Sequence, residues 1–267
     1  MGTVVKNRSY SIFALLVFLA AVGTRDVELI TGHITVTGAC VFYLALAFGL
    51  AMLMIDSFRV KEYAPAFCYD NKFRIGVLGY LAAAGFFVDF VYGAVRIYGS
   101  VDSGSFHNPV DFLPLCICTL LSLVCSFYYV MVGLSFSSSA YDFKELKITH
   151  IAPVFWAVAK IISVLPQAVK LSRDVDEVLK YIVLIFLAGG LYFFAYEVSA
   201  QQGTHPVSMF MFRGSFYTGL LFFFDRIMLL LSGSSTVGDA DGILSVTVLS
   251  ISVFMYFFEK NIIAHTN

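Results

Sequence analysis

The sequence predicts an all-α polytopic transmembrane helix bundle of about eight spans, built as a single helical domain over residues 1–267. Three observations predict it. Hydrophobic residues make up 59% of the chain and charged residues only 13%, where a soluble protein carries about 25% charged residues. Mean hydropathy is +0.84. Apolar runs of the length a hydrocarbon core demands, about 20 residues, recur between short charged loops. The net charge of −1 gives no bulk electrostatic reason to expect nucleic acid as a partner.

The spans read as residues 9–30, 36–55, 75–97, 110–133, 149–167, 179–199, 208–232 and 242–262. The first, "IFALLVFLAAVG", follows Lys6 and Arg8, and its "AVG" before Thr24 has the form of a signal-peptidase site. Cleavage there would leave seven spans; the other reading extends the helix to Arg25 and Asp26 at its mouth. The connections 63–74 and 133–150 are the longest, and "SGSSTVGDADG" (232–242) is a Gly, Ser and Asp turn between the last two spans. Pro153 and Pro166 bracket the fifth span, and "AGG" at 188–190 marks a close-packing notch. No internal repeat supports an inverted-repeat transporter. Ten basic residues fall on the side of the termini and five on the other, which favours cytoplasmic termini for this multi-pass chain.

Charges inside the spans carry the functional reading, because each costs about 2.5–3.5 kcal/mol at a helix centre. Lys160 lies seven residues before Gln167, Asp225 seven before Ser232 and Asp89 eight before Ile97, on three spans of one direction. That counting puts Lys160, Asp225 and Asp89 at one depth, with Arg226 beside them. Pairs such as Lys160–Asp225 or Arg226–Asp89 would offset the cost. Polar stripes surround these charges: Trp156, Lys160, Ser163 and Gln167 on the fifth span, and Asp89, Tyr92 and Arg96 on the third. Thr218 stands two turns before Asp225. Cys118, Ser122, Cys125 and Tyr129 share a face of the fourth span, as do Ser245, Ser252, Tyr256 and Glu259 of the eighth.

Catalytic signatures are missing from the sequence. There is no zincin pattern, no Gly-x-Ser-x-Gly elbow and no Asp-rich box, so no catalytic residue, metal or cofactor is expected. The five histidines stand singly at loops or span ends, and read as interfacial residues. Cys116 and Cys118 are two apart, about 200° round a helix, and so on different faces. A retinal protein is disfavoured: the lysine is on the fifth span rather than the last, and Trp156 is the single tryptophan.

"PVFWAVAKIISVLPQ", "DVDEVLKYIVLIFLAGGLYFFAYEVSA" and "FRGSFYTGLLFFFDRIMLLLS" resemble a group of uncharacterised multi-span proteins from gut clostridia, over roughly residues 75–235. The resemblance implies a bacterial inner membrane and lends no activity. The expectation is therefore a polar cavity between spans three, five and seven, facing outward, that binds or passes a small polar or anionic solute. Lys160 and Arg226 would supply positive charge, Asp89 and Asp225 would balance it, and Tyr92, Trp156, Thr218, Arg96 and Ser163 would form its wall. The other reading is a membrane subunit or sensor whose charges only pair helices. The lipid bilayer is the one partner the composition itself requires.

Overall fold

The computed structural model describes residues 13, 16–24, 36–59, 72–102, 109–138, 149–168, 175–200, 205–231, 233 and 240–263. Apart from a short 3₁₀ turn and isolated turn residues, these are α-helical. The helices are α1 (16–24), α2 (Val36–Phe58), α3 (Lys72–Asp102), α4 (Pro109–Ser138), α5 (Ala152–Ala168), α6 (Val175–Ala200), α7 (Pro206–Leu231) and α8 (Ala240–Ile263). Each falls on an expected span. Several run further than hydropathy suggests, because backbone hydrogen bonding carries on past the last apolar residue into the polar ends.

Among the described residues, six helices, α2, α3, α4, α6, α7 and α8, are long and apolar enough to cross a membrane. The chain is thus a helical membrane bundle. Its outer faces agree: Leu44, Phe73, Tyr98 and Phe127 are each more than 60% exposed, as side chains solvated by lipid are. The fifth span falls short. At 17 residues, α5 rises about 26 Å against a hydrocarbon core of about 30 Å. A 3₁₀ turn at Thr149–Ile151 leads into it, and Pro153 sits in its first turn, where no backbone donor is needed.

Helices α3 to α8 form a closed ring in which each packs on the next and α8 returns to α3; α6 also touches α8, and α2 lies outside against α7. α1 joins this outer layer. Its Phe18 stacks on Tyr217 of α7 at 5.3 Å and fills the notch left by Gly49 of α2. Arg25, Asp26 and the residues before position 13 lie outside the described residues.

Lipid tails are as apolar as leucine, so packing and interhelical hydrogen bonds, not water exclusion, hold such a ring. Five helices send one buried aromatic ring each to the centre. Trp156 of α5 meets Phe86 of α3 at 4.9 Å, and Phe86 stacks on Tyr129 of α4 at 5.4 Å. Tyr129 meets Phe254 of α8 at 5.2 Å, and Phe254 meets Phe194 of α6 at 5.4 Å. The bundle axis is filled at this level. Small residues bring the backbones together around it: Gly76 and Gly79 of α3 lie on Gly133 of α4. Gly85 takes Thr247 of α8, whose hydroxyl donates to the Gly85 carbonyl at 2.9 Å. The expected notch at Gly189 and Gly190 receives Met211, Ser215 and Met255. Where α7 ends, Gly233 adopts φ 74° and its N–H closes on the Leu230 carbonyl at 3.1 Å, which is the turn the sequence predicts there.

A Cβ on Gly79 would stand 3.1 Å from the Gly133 backbone, whereas one on Gly99 would meet nothing. Gly79→Leu should therefore lose about 1–3 kcal/mol and lower the unfolding temperature in detergent. Gly99→Ala, in the same helix, should leave it unchanged or raise it.

Candidate functional site

The buried charge on α3 is met by the two helices that follow it in the chain. Asp89 is 4% exposed. Its Oδ1 accepts from the Lys160 ammonium of α5 at 2.8 Å, which closes a salt bridge. Its Oδ2 accepts from the Ser122 hydroxyl of α4 at 2.5 Å and from the Trp156 indole of α5 at 3.2 Å. The indole N–H is shared, since Ser122 Oγ also accepts it at 2.8 Å. Ser122 has one proton and a second acceptor in reach, the Cys118 carbonyl at 2.8 Å. Asp89 is salt-bridged to Lys160, and a charge-assisted bond to a carboxylate is stronger than one to a neutral carbonyl.

Helical spacing explains why these groups converge. Trp156 and Lys160 are i, i+4 on α5, so one face presents both indole and ammonium. The ammonium also stands 5.6 Å from the Trp156 ring centroid, within cation–π range. On α4 the predicted face of Cys118, Ser122, Cys125 and Tyr129 is buried throughout. Gly93 of α3 gives way to Thr119 of α4 one turn beyond Asp89, which brings α3 and α4 close enough for Ser122 to reach the carboxylate. Ser163 bonds the Lys160 carbonyl at 2.8 Å and lies against Cys118.

The expected meeting of spans three, five and seven is only half realised. Lys160 pairs with Asp89 and not with Asp225, and Arg226 does not reach Asp89. Asp225 and Arg226 of α7 belong to a separate network: Arg226 lies 3.8 Å from Asp225 and 3.6 Å from Asp241 of α8. Lys180 of α6 joins it, 3.0 Å from Asp241 and 2.9 Å from Glu177. Counting from span ends does not settle the partner: α3 continues to Asp102 while α7 stops at Leu231, so helix ends do not mark one level. The packing of α4 on both α3 and α5 is what brings Lys160 to Asp89. Thr218 is fully buried but spends its hydroxyl on the Gly214 carbonyl of its own helix, at 2.7 Å. Arg96 is exposed and lies over the Tyr92 ring at 5.9 Å, one turn away on α3.

A further network went unread in the sequence. Arg213 of α7 donates from Nη1 to Asp56 of α2 at 2.6 Å and from Nε to Glu259 of α8 at 2.9 Å. Asp56 and Arg213 each stand near a helix end, where charges read as solvated. Glu259 closes the polar stripe expected on the eighth span, and it is fully buried. His150 is likewise no interfacial histidine: it is buried, with Nδ1 2.6 Å from the Tyr128 hydroxyl. His205 is exposed, while His33, His107, His265 and Cys68 lie outside the described residues. Among the described residues, no group of three His, Cys, Asp or Glu side chains is placed to hold a metal ion.

No protein-family model, no curated protein and no solved structure matches this chain.

Removing one partner of a buried ion pair costs about 3–5 kcal/mol, while replacing both by apolar residues is often neutral. Lys160→Met should therefore lower the unfolding temperature in detergent clearly, and the double variant Lys160→Met/Asp89→Leu should recover most of the loss. If the two effects simply add, the pair does not hold the helices.

Proposed function

We propose that this membrane protein binds or passes a small polar or anionic solute, with Lys160 as the cation that meets it. One observation carries the reading. The Lys160 side chain is 18% exposed, while the Asp89 it pairs with is 4% exposed. The carboxylate is enclosed by Lys160, Ser122 and Trp156 and has little left to offer a ligand. The ammonium has three donors and gives Asp89 one of them. An anionic or carbonyl group arriving at α5 would find a charged donor already oriented by Asp89 and backed by the Trp156 ring. Membrane depth raises the value of such a donor, because water competes poorly there.

This places the solute on the α3–α4–α5 side of the ring rather than among spans three, five and seven. α7 and its charges are then part of the frame. The aromatic plug on the bundle axis describes a closed arrangement, so passage would require the rings around Phe86 and Phe254 to part. A bacterial inner membrane with cytoplasmic termini fits the distribution of basic residues.

The test uses the double variant that keeps the fold. A panel of small anions and polar solutes, chloride, phosphate, acetate and free amino acids among them, is screened by thermal unfolding of the purified protein. A bound solute at a hundredfold its Kd stabilises by about 2.7 kcal/mol. At least one solute should raise the wild-type midpoint and leave Lys160→Met/Asp89→Leu unmoved. Equal shifts in both proteins, or none in either, would leave the ion pair a helix clamp only.

A further inference from the structure

The end of the bundle where α2, α6 and α8 finish and α7 begins holds more buried carboxyl groups than cations. Asp56 is 4% exposed, Glu197 1% and Glu259 0%. Arg213 serves two of them, Asp56 and Glu259. Lys260 is exposed, with its ammonium 4.5 Å above the Tyr256 ring. Tyr217 and Tyr256 are the other titratable groups facing Arg213, and Glu259 faces Glu197. Among the described residues, no Lys or Arg is paired with Glu197.

Two features of Glu197 point to what it holds. Its Oε2 is buried with no hydrogen-bond partner among the described residues, a position unfavourable for an ionised carboxylate and far milder for the carbonyl oxygen of a neutral acid. Its Oε1 contacts Ser208 Oγ and accepts the His205 backbone N–H at 3.3 Å. Ser208 Oγ is also 2.6 Å from the His205 carbonyl. A serine hydroxyl has one proton for these two acceptors. Ser122 faces the same choice at Asp89, where Lys160 supplies a cation to the carboxylate. No described cation does so at Glu197, and a proton on Glu197 satisfies both contacts, since Oε1–H then donates to Ser208 Oγ and Ser208 donates to the His205 carbonyl.

We propose that Glu197 is a proton-binding site. One proton from water adds to Oε1, forming an O–H bond and taking the side chain from −1 to neutral, and its release restores the carboxylate. Ser208 and the His205 backbone hold the protonated form, and the negative charge of Glu259 across the α6–α8 contact favours it. The ligand is a proton rather than a metal ion, given the lack of a third metal-ligating side chain among the described residues. The site stands apart from Lys160 and does not depend on a solute binding there.

Infrared difference spectra of the full chain in detergent, between acidic and alkaline buffer, test this directly. The wild type should show a protonated-carboxyl band that persists at neutral pH, and Glu197→Gln should lose it. Glu259→Gln, which removes the neighbouring negative charge, should make the band disappear at lower pH than in the wild type. Thermal unfolding gives a second readout. Because the folded state then holds a proton the unfolded chain releases, folding weakens as pH rises, by up to tenfold in equilibrium constant per pH unit until the proton is lost. Wild type should show this fall and Glu197→Gln should lack that component. A neutral-pH spectrum identical in wild type and Glu197→Gln would overturn the proposal. So would matching pH profiles of unfolding, or a band that responds to sodium at fixed pH.

Discussion

Every charge this chain carries into the membrane has to be matched there by an opposite charge, a donor or a proton, and the arrangement of helices follows from that requirement. Lipid offers neither donors nor acceptors, so an isolated Asp89 or Arg213 would make the bundle unstable. Three networks meet the demand. Asp89, Ser122, Trp156 and Lys160 tie α3, α4 and α5. Lys180, Glu177, Asp241 and Arg226 tie α6, α7 and α8 at one end. Arg213, Asp56 and Glu259 tie α7 to α2 and α8 at the other. α7 is thus fastened at both ends, which suits it to a static frame. α5 is held through Asp89 and its packing on α4 and α6.

Trp156 connects the polar and apolar halves of the design. Its ring leans edge-on against Phe86 at 4.9 Å, within the aromatic centre, and its N–H reaches Ser122 and Asp89. Phe86 and Asp89 are one turn apart on α3, so the helix that places the ring also places the carboxylate. A shift of the central rings would therefore be felt at the ion pair. That gives physical content to any coupling between solute at Lys160 and opening along the axis.

The ionic networks are not equivalent. Around Asp89 the charges balance and every carboxylate oxygen has a partner. Around Arg213 the carboxyl groups outnumber the buried cation, and the surplus falls on Glu197, which is surrounded by a hydroxyl and a backbone amide instead. Balanced pairs suit a fixed scaffold or a presented cation. An unbalanced carboxyl suits reversible protonation. Both follow from the same cost of leaving charge unsolvated.

By itself the sequence determined the solvent of this protein, the approximate positions and order of its helices, and which faces are polar. Those properties depend on residues close in the chain: a run of apolar side chains specifies a span, and i, i+4 spacing puts Trp156 and Lys160 on one face. The reading of Lys160 as a charge in need of a partner was likewise local. Which partner it takes was decided by the tertiary structure. Asp89 and Asp225 look alike along their spans, and only the ring order and the close contact of α3 and α4 at Gly93 separate them. Asp56, Glu197 and Arg213 were passed over for the same reason. Near a helix end, the sequence cannot distinguish a charge in water from one covered by another helix, because burial there depends on segments up to 157 positions apart in the chain.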